Sequence, residues 1–465
     1  MKIAKLKAPN TYLIIFSLIA LTAALTYVLP GGTYRMIERD GRKVVDPTSF
    51  SFTDSRPQGP DAVLTAPLEG FVDAALIIGF VLIVGGAFSV LQKTKAVDAG
   101  IQTLAQAHEK STLVRKLTIP LFMVLFSLGG AVFGISEEVI PFILIFIPMA
   151  LALGYDSVTG VAIPFVGAGA GFAAAFINPF TLGVAQGIAG LPPLSGFAYR
   201  VFCWILTTLV AIVFVQRYAN RIKREPHKSI SADIDAARRK EWHVNKKTAL
   251  HLTGRHKRVL GLFFAAMVLL VYGVLAYQWY IKEIAALFLA MGIVAGLAGG
   301  LKATEITDGF ILGAKELIGT ALVIALARGI LIIAQNGQII GTILHGLSSL
   351  IKGAHPVFAA QIMFFVQTAI NFFVPSGSGQ AALTIPIMAP LSDLLEVSRQ
   401  TAVLAFQFGD GFSNLIIPTS AVTMGVLALA EIPWEKWARW ILPLEIAFFM
   451  LSLILLVPPF FMHWR

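Results

Sequence analysis

The polar residues with chemistry to offer lie in four short strings set among hydrocarbon side chains: Ser136-Glu137-Glu138, Asn178-Pro179-Phe180-Thr181, Ser376-Gly377-Ser378-Gly379-Gln380, and Asp410 with Asn414, Thr419 and Ser420. Free backbone and polar groups survive at bilayer depth only where protein buries them or water reaches them, so such strings mark a site. Two adjacent carboxylates, Glu137 and Glu138, suit an ammonium or guanidinium group, and like-charge repulsion lets one of them take up a proton. Glycines beside Ser376, Ser378 and Gln380 permit backbone angles whose amides can receive a carboxylate, although a plain flexible turn would look the same. Ser136, Asn178, Asn414 and Thr419 complete the expected substrate contacts. Oxygens of Asn178, Thr181, Asp410, Asn414, Thr419 and Ser420, with unwound carbonyls, suit Na⁺, and Asp410 equally suits H⁺. A kink at Pro with Asn or Thr capping the freed groups accounts for Asn178 and Thr419 nearly as well. Arg328, in the middle of an apolar run, is expected to neutralise Asp410 or Glu137 rather than to grip substrate.

Composition fixes the medium. Hydrophobic residues make up 57% of 465, charged residues 13%, and the mean hydropathy is +0.78, more apolar side chain than one soluble core can hide. The chain reads as a polytopic membrane protein. One cysteine, Cys203, excludes a disulfide framework and a Cys-rich metal site, and its expected role is packing. The formal charge of +10 sits mostly in loops beside the spans, where topology explains it without nucleic acid. None of the eight histidines falls in mid-span, which disfavours haem, zinc or His-based catalysis. No Gly-rich phosphate loop and no membrane nucleophile paired with a base is present in the sequence, so neither ATP coupling nor an enzyme is expected, and no cofactor beyond Na⁺ or H⁺.

The elements that must hold these strings follow from the apolar pattern. Residues 11–30 form a first span, and Pro30-Gly31-Gly32 is a poor cleavage site for a signal peptide. Residues 31–67 form an external loop with a small structured cap, 71–91 a second span, and 93–116 an amphipathic helix lying on the membrane. A hairpin over 117–153 carries Glu137 and Glu138 at its tip, a broken span over 155–187 carries Asn178 and Thr181, and 197–216 crosses again. Residues 217–258 hold 13 Lys/Arg and form a basic cytoplasmic linker between a first half, 1–216, and a second, 259–465. The second half repeats the plan: a linker span 259–277, spans 284–301 and 310–334, a hairpin 357–395 tipped by Ser376 to Gln380, a broken span 401–429, and 438–461. Sliding the chain on itself by about 240 residues puts Gly70-Phe71 over Gly309-Phe310, Gly171-Phe172 over Gly411-Phe412, and Pro179 over Pro418, a long-period repeat. Treating both hairpins as re-entrant places 24 Lys/Arg inside and 10 outside, with the N-terminus in the cytoplasm. The expected fold is therefore all-α, with two inverted repeats, about nine transmembrane helices, two re-entrant hairpins and two broken helices.

The strings FGISEEVIPF, INPFTLGVAQGIAGLPPLSG, NFFVPSGSGQAALTIPIMAPL and AFQFGDGFSNLIIPTS together resemble the YfcC family, grouped with bacterial C4-dicarboxylate anaerobic carriers and basic amino acid antiporters. The resemblance runs from about Tyr12 to Phe460. It implies the ion-transporter superfamily fold, alternating access with an elevator-like moving domain, and residence in the bacterial inner membrane. Elevator carriers often fix a scaffold by dimerising, which makes a homodimer the assembly to look for. Substrate stays open between two classes. The residues themselves lean to a basic amino acid such as arginine or ornithine, because an acidic tip faces an anion-receptive one; a C4-dicarboxylate or other organic anion carried with Na⁺ or H⁺ is the alternative. A channel is disfavoured because the spans lack a polar stripe at helical spacing.

Overall fold

A computed structural model of the chain describes residues 11–465 other than 40–41, 47, 247–251, 278, 350, 352–353, 463 and 465. Helix α1 (Thr11–Val28) leads into residues 31–53, which form two antiparallel two-stranded ladders. In these, β1 (Gly31–Thr33) pairs with β4 (Ser51–Thr53), and β2 (Met36–Arg39) with β3 (Arg42–Val45), the small cap expected there. The loop is shorter than the sequence suggests. Pro60 supplies the preset φ of a first helical turn, so α2 (Pro60–Asp73) begins before the expected limit at residue 67.

Where the pattern reads as one span over 71–91, the backbone breaks at Ala74, and α3 (Ala75–Lys93) is a separate helix. The same correction applies to 310–334, which is α13 (Ala303–Glu316) and α14 (Ile318–Asn336) with the break at Leu317. The amphipathic α4 (Ala96–Lys110) forms as expected, but protein covers its apolar face: Val97 and Ile101 are buried, and it packs on α5, α6 and α11. The first hairpin is α5 (Thr112–Leu128), a π turn (Gly129–Phe133) and α6 (Val139–Ala152). At 1.5 Å per residue the 14 residues of α6 reach only about 21 Å, short of a 30 Å hydrocarbon core. The first broken helix is α7 (Ser157–Ala173) with α8 (Leu182–Ile188), and α9 (Phe197–Arg224) follows.

The basic linker is not a loop. Its α10 (Ala232–Lys246) is docked, with Asp235 accepting from the Ser157 amide at 3.2 Å, where a carboxylate complements the positive end of α7. Arg238 donates to the Ala430 carbonyl at 2.8 Å and to Ser157 Oγ at 2.9 Å, so one side chain joins the start of one broken helix to the end of the other. The second half then runs through α11 (Gly254–Tyr277), α12 (Ile281–Ala298), α13, α14, α15 (Ile339–Ser349), the hairpin α16 (Pro356–Phe373) and α17 (Gly377–Leu394), the broken helix α18 (Arg399–Ser413) and α19 (Ala421–Ala430), and α20 (Trp434–Leu455). Eight helices among the described residues are long and apolar enough to cross a membrane. The chain is an all-α polytopic membrane protein.

Packing exchanges the two halves. Helix α2 lies on α14 and α3 on α13, while α1 lies on α14 and α12 on α3. Within each half the hairpin arm packs its own broken helix, α5 and α6 on α7, α16 and α17 on α18. Close backbone approach depends on missing side chains: a Cβ on Gly171 would collide with the Ser127 carbonyl, and one on Gly409 would come 2.9 Å from the Phe364 carbonyl. Two groups of helices result, a frame of α1–α3 with α12–α14 and a body of hairpins, broken helices, α9 and α20. They meet where α14 packs on α19 and α3 on α6.

Candidate functional site

The first hairpin tip and the first break are one hydrogen-bonded unit. The π turn that ends α5 is followed by Gly134 at φ +71°, a left-handed angle that glycine adopts without strain. A side chain there would also strike Asn178, whose Oδ1 lies 2.6 Å from the Cβ position. The amides of Phe176, Ile177 and Asn178 converge on the Ala131 carbonyl at 3.4, 3.2 and 3.1 Å. Asn178 Oδ1 accepts from the amides of Phe180 and Thr181 at 2.9 and 3.3 Å, so a side-chain turn replaces the interrupted helix. Past the tip, buried Glu138 accepts from the Ser136 amide at 3.0 Å, while Glu137 and Ser136 are half-buried.

The second break is tied down by amides. Asn371 Nδ2 donates to the Asp410 carbonyl at 3.0 Å and to Ser413 Oγ at 2.8 Å, and Asn414 Nδ2 donates to the Asp410 carbonyl at 2.9 Å. Thr423 donates its hydroxyl to the Asn414 carbonyl, and Ser420 Oγ caps α19 by accepting from the Thr423 amide at 3.4 Å. Helix carbonyls and amides freed by the interruption are thus satisfied by side chains, as the bilayer interior demands.

The second hairpin tip closes the arrangement. A Cβ on Gly377 would meet Thr181 and approach Asp410 Oδ2 at 3.1 Å, so the first turn of α17 rests on the first break and on the carboxylate of the second broken helix. Gln407 joins the same pieces, its Nε2 donating to the Phe172 carbonyl at 2.7 Å and to Thr181 Oγ1 at 3.0 Å. Ser136 and Asn414 line a common cavity of about 30 Å³ with Gly169 and Gly411, room for an ion or a water and too little for an amino acid. On the second hairpin and the second broken helix, six buried oxygens have no hydrogen-bond donor among the described residues: Asn371 Oδ1, Gln380 Oε1, Gln407 Oε1, Asp410 Oδ2, Asn414 Oδ1 and Thr419 Oγ1. Buried acceptors left over in this way are what a hard cation or an ammonium group satisfies.

Other expected residues lie differently. Ser376 and Gly377 are half-buried, and Ser378 and Gly379 are exposed at the tip. Gln380 is buried and turned to the other arm, its Nε2 donating to the Gln367 carbonyl at 2.9 Å and to Gln367 Oε1 at 2.7 Å. Arg328 pairs with Asp73, not with Asp410 or Glu137. The reason is the break at Ala74: glycines at 70 and 329 let α2 and α14 touch backbone to backbone, which sets the last residue of α2 opposite Arg328. Glu137 is still within electrostatic reach of that guanidinium. Sequence reasoning missed Asn371, Gln407, Gln367 and Asp73. Gln407 and Asp410 on α18 and its C-cap Asn414 are spaced i, i+3, i+7 after the apolar stretch 402–406, a signal that was there to find.

The DcuC family model, described as C4-dicarboxylate anaerobic carrier, matches residues 8–460. A relative from Escherichia coli K12, YfcC, provisionally described as a basic amino acid antiporter, is 38% identical over 471 residues, covering 93% of this chain and 92% of the relative. An uncharacterized protein of Haemophilus influenzae is 27% identical over 495 residues, covering 97% and 96%. Among solved structures, the YdaH transporter of Alcanivorax borkumensis aligns over 98% of this chain and 99% of its own, at 15% identity and a TM-score of 0.45. With a family match over nearly its whole length and a relative this similar, the chain belongs to the DcuC family of carriers.

Proposed function

We propose that this carrier is a secondary active transporter that moves a basic amino acid such as arginine or ornithine across the inner membrane, by exchange or by cation coupling. The observation that supports this substrate class is the charge of the site. Glu137, Glu138 and Asp410 gather around the two tips and two breaks, and the cation within reach of Glu137, Arg328, is already paired with Asp73. A dianion brought there would meet carboxylates with no free guanidinium to oppose them, whereas a zwitterion with an extra positive charge would set its cation on the acids and its carboxylate at the exposed Ser378-Gly379 turn. The provisional description of the E. coli relative points the same way. Asp410, Asn414, Thr181 and the unpartnered oxygens beside them supply the coupling site for Na⁺ or H⁺.

The packing supports an elevator-like movement. The body of hairpins and broken helices meets the frame through a few helix pairs, and Phe180 in the first break meets Tyr280 at the start of α12 in a tilted ring contact, with centroids 4.9 Å apart. A body that slides on such a frame with its site enclosed is an elevator, with the N-terminus cytoplasmic and the frame as the surface for a homodimer. Proteoliposomes loaded with arginine, ornithine, lysine or succinate, with and without Na⁺ and H⁺ gradients, test the reading. Exchange confined to basic amino acids, lost in Glu137→Gln and in Asp410→Asn with insertion intact, is the expected result. Uptake of succinate in its place would transfer the protein to the C4-dicarboxylate reading that the family name carries.

A further inference from the structure

The frame sends one aromatic residue to the acids of the body. Tyr280 stands at the N-cap of α12, and its amide donates to Glu283 Oε2 at 3.2 Å, so the first turn of that helix fixes the backbone from which the ring rises. The ring meets Phe180 with 4.9 Å between centroids, and the charges of Glu137, Glu138 and Arg328 all reach the phenol, that of Glu137 most strongly. We infer that Tyr280 and Phe180 form an aromatic wall of the substrate site, where the planar guanidinium of arginine lies while Glu137 and Glu138 balance its charge, so that the carrier prefers arginine to ornithine and lysine. This preference rests on the basic amino acid reading above and divides a class that the acids leave undivided.

The acids cannot make that choice. Guanidinium and ammonium carry the same single charge, and two adjacent carboxylates attract either. Aromatic faces separate them. A guanidinium is planar, delocalised and weakly hydrated and stacks on a ring, whereas an ammonium is a compact, strongly hydrated point charge.

No cation of the protein takes the wall for itself. Arg328, the guanidinium whose charge reaches Tyr280, is paired with Asp73, and among the described residues no lysine or arginine lies over either ring. Asn178 Oδ1 accepts from the Phe180 amide at 2.9 Å, so the turn that replaces the interrupted helix also fixes the second ring's backbone. Phe180 belongs to the body and Tyr280 to the frame, and the wall therefore spans the boundary between them. A body that moves on the frame parts the rings, and the guanidinium is then held less firmly in the second arrangement than in this one.

The test is exchange in proteoliposomes of the full-length protein, reading KM and kcat for labelled arginine and for labelled ornithine. The parent is expected to show the lower KM for arginine. Tyr280→Phe keeps the ring and should keep the preference. Tyr280→Leu should raise the arginine KM about three- to thirtyfold with kcat little changed, the range that a cation on an aromatic face implies, and should raise the ornithine KM less. Phe180→Leu removes the other ring, should shift the ratio of the two KM values the same way, and serves if Tyr280→Leu fails to insert. Tyr272→Leu, in the ring pair on α11, should leave the ratio alone. An unaltered ratio in either inserted leucine variant, an equal shift in Tyr272→Leu, or equal KM values in the parent would each overturn the aromatic wall. Loss of the preference in Tyr280→Phe would assign it to the hydroxyl and overturn the wall as well. A parent that exchanges succinate and no basic amino acid would overturn the substrate reading and the wall with it, whereas each of the other failures leaves that reading standing.

Discussion

Neutralising Asp73 should destabilise the frame and do so through Arg328 alone. The two side chains are 39% and 24% exposed, between a surface pair and a buried one. Exposed pairs contribute about 0–1 kcal/mol, and removing one partner of a buried pair costs about 3–5 kcal/mol, so this half-screened pair should couple by roughly 1–3 kcal/mol. The assay is a double-mutant cycle of Asp73→Asn and Arg328→Gln, with unfolding free energies from denaturant titration in mixed micelles. Each single variant strands one charge; the double variant strands none, and should be more stable than the sum of the singles implies. A second cycle of Glu137→Gln with Arg328→Gln should show the smaller coupling, because Arg328 is engaged by Asp73. A coupling under about 0.5 kcal/mol in the first cycle, or a larger one in the second, would refute the pairing and return Arg328 to the role of neutralising Glu137.

Gln407→Leu should lower the melting temperature and slow transport together, since it orphans the Phe172 carbonyl and the Thr181 hydroxyl at about 1–3 kcal/mol for each buried group left unpaired. Gly171→Ala should cut the monodisperse fraction on size exclusion, because the new methyl collides with the Ser127 carbonyl, whereas Gly79→Ala, with nothing within 4 Å of the added atom, should leave it unchanged or higher. Held at about 4, below its ordinary 6.5, His108 gives stability that is complete above pH 6.5 and is lost as pH falls from there toward 4; thermal unfolding across that range should flatten in His108→Gln.

The apolar runs, the two hairpins and the two breaks were legible because hydrocarbon length and Pro/Gly interruption are local properties of the chain. Ala74 and Leu317 were not, since an alanine and a leucine carry no breaking signal; the interruptions arise where α2 crosses α14 and α3 crosses α13. The same blindness hid the Asp73 partner of Arg328, which depends on a contact 255 residues away. In the site, the acids and the Pro-flanked Asn178 stood out against their surroundings. Gln407 was legible only through its spacing to Asp410 and Asn414, and Asn371 not at all, because a lone amide in an apolar helix reads as ordinary until a tertiary contact shows which carbonyl it holds. Composition marked the linker as basic but could not show its docking, for Asp235 and Arg238 look like any two residues of a solvated helix until Ser157 and Ala430 are placed beside them.

The crosswise pairing of the frame sets a schedule for the ribosome. At roughly 5–20 residues per second, the 255 residues between Asp73 and Arg328 take about 13–50 s to make, and throughout that interval α2 has no α14 to lie on. The early product is thus a half-frame whose glycine-lined faces, shaped for helices not yet translated, are open to lipid and to any passing hydrophobic segment. Assembly of this carrier is consequently a late event in synthesis, and quality control in the membrane has a long nascent state to protect.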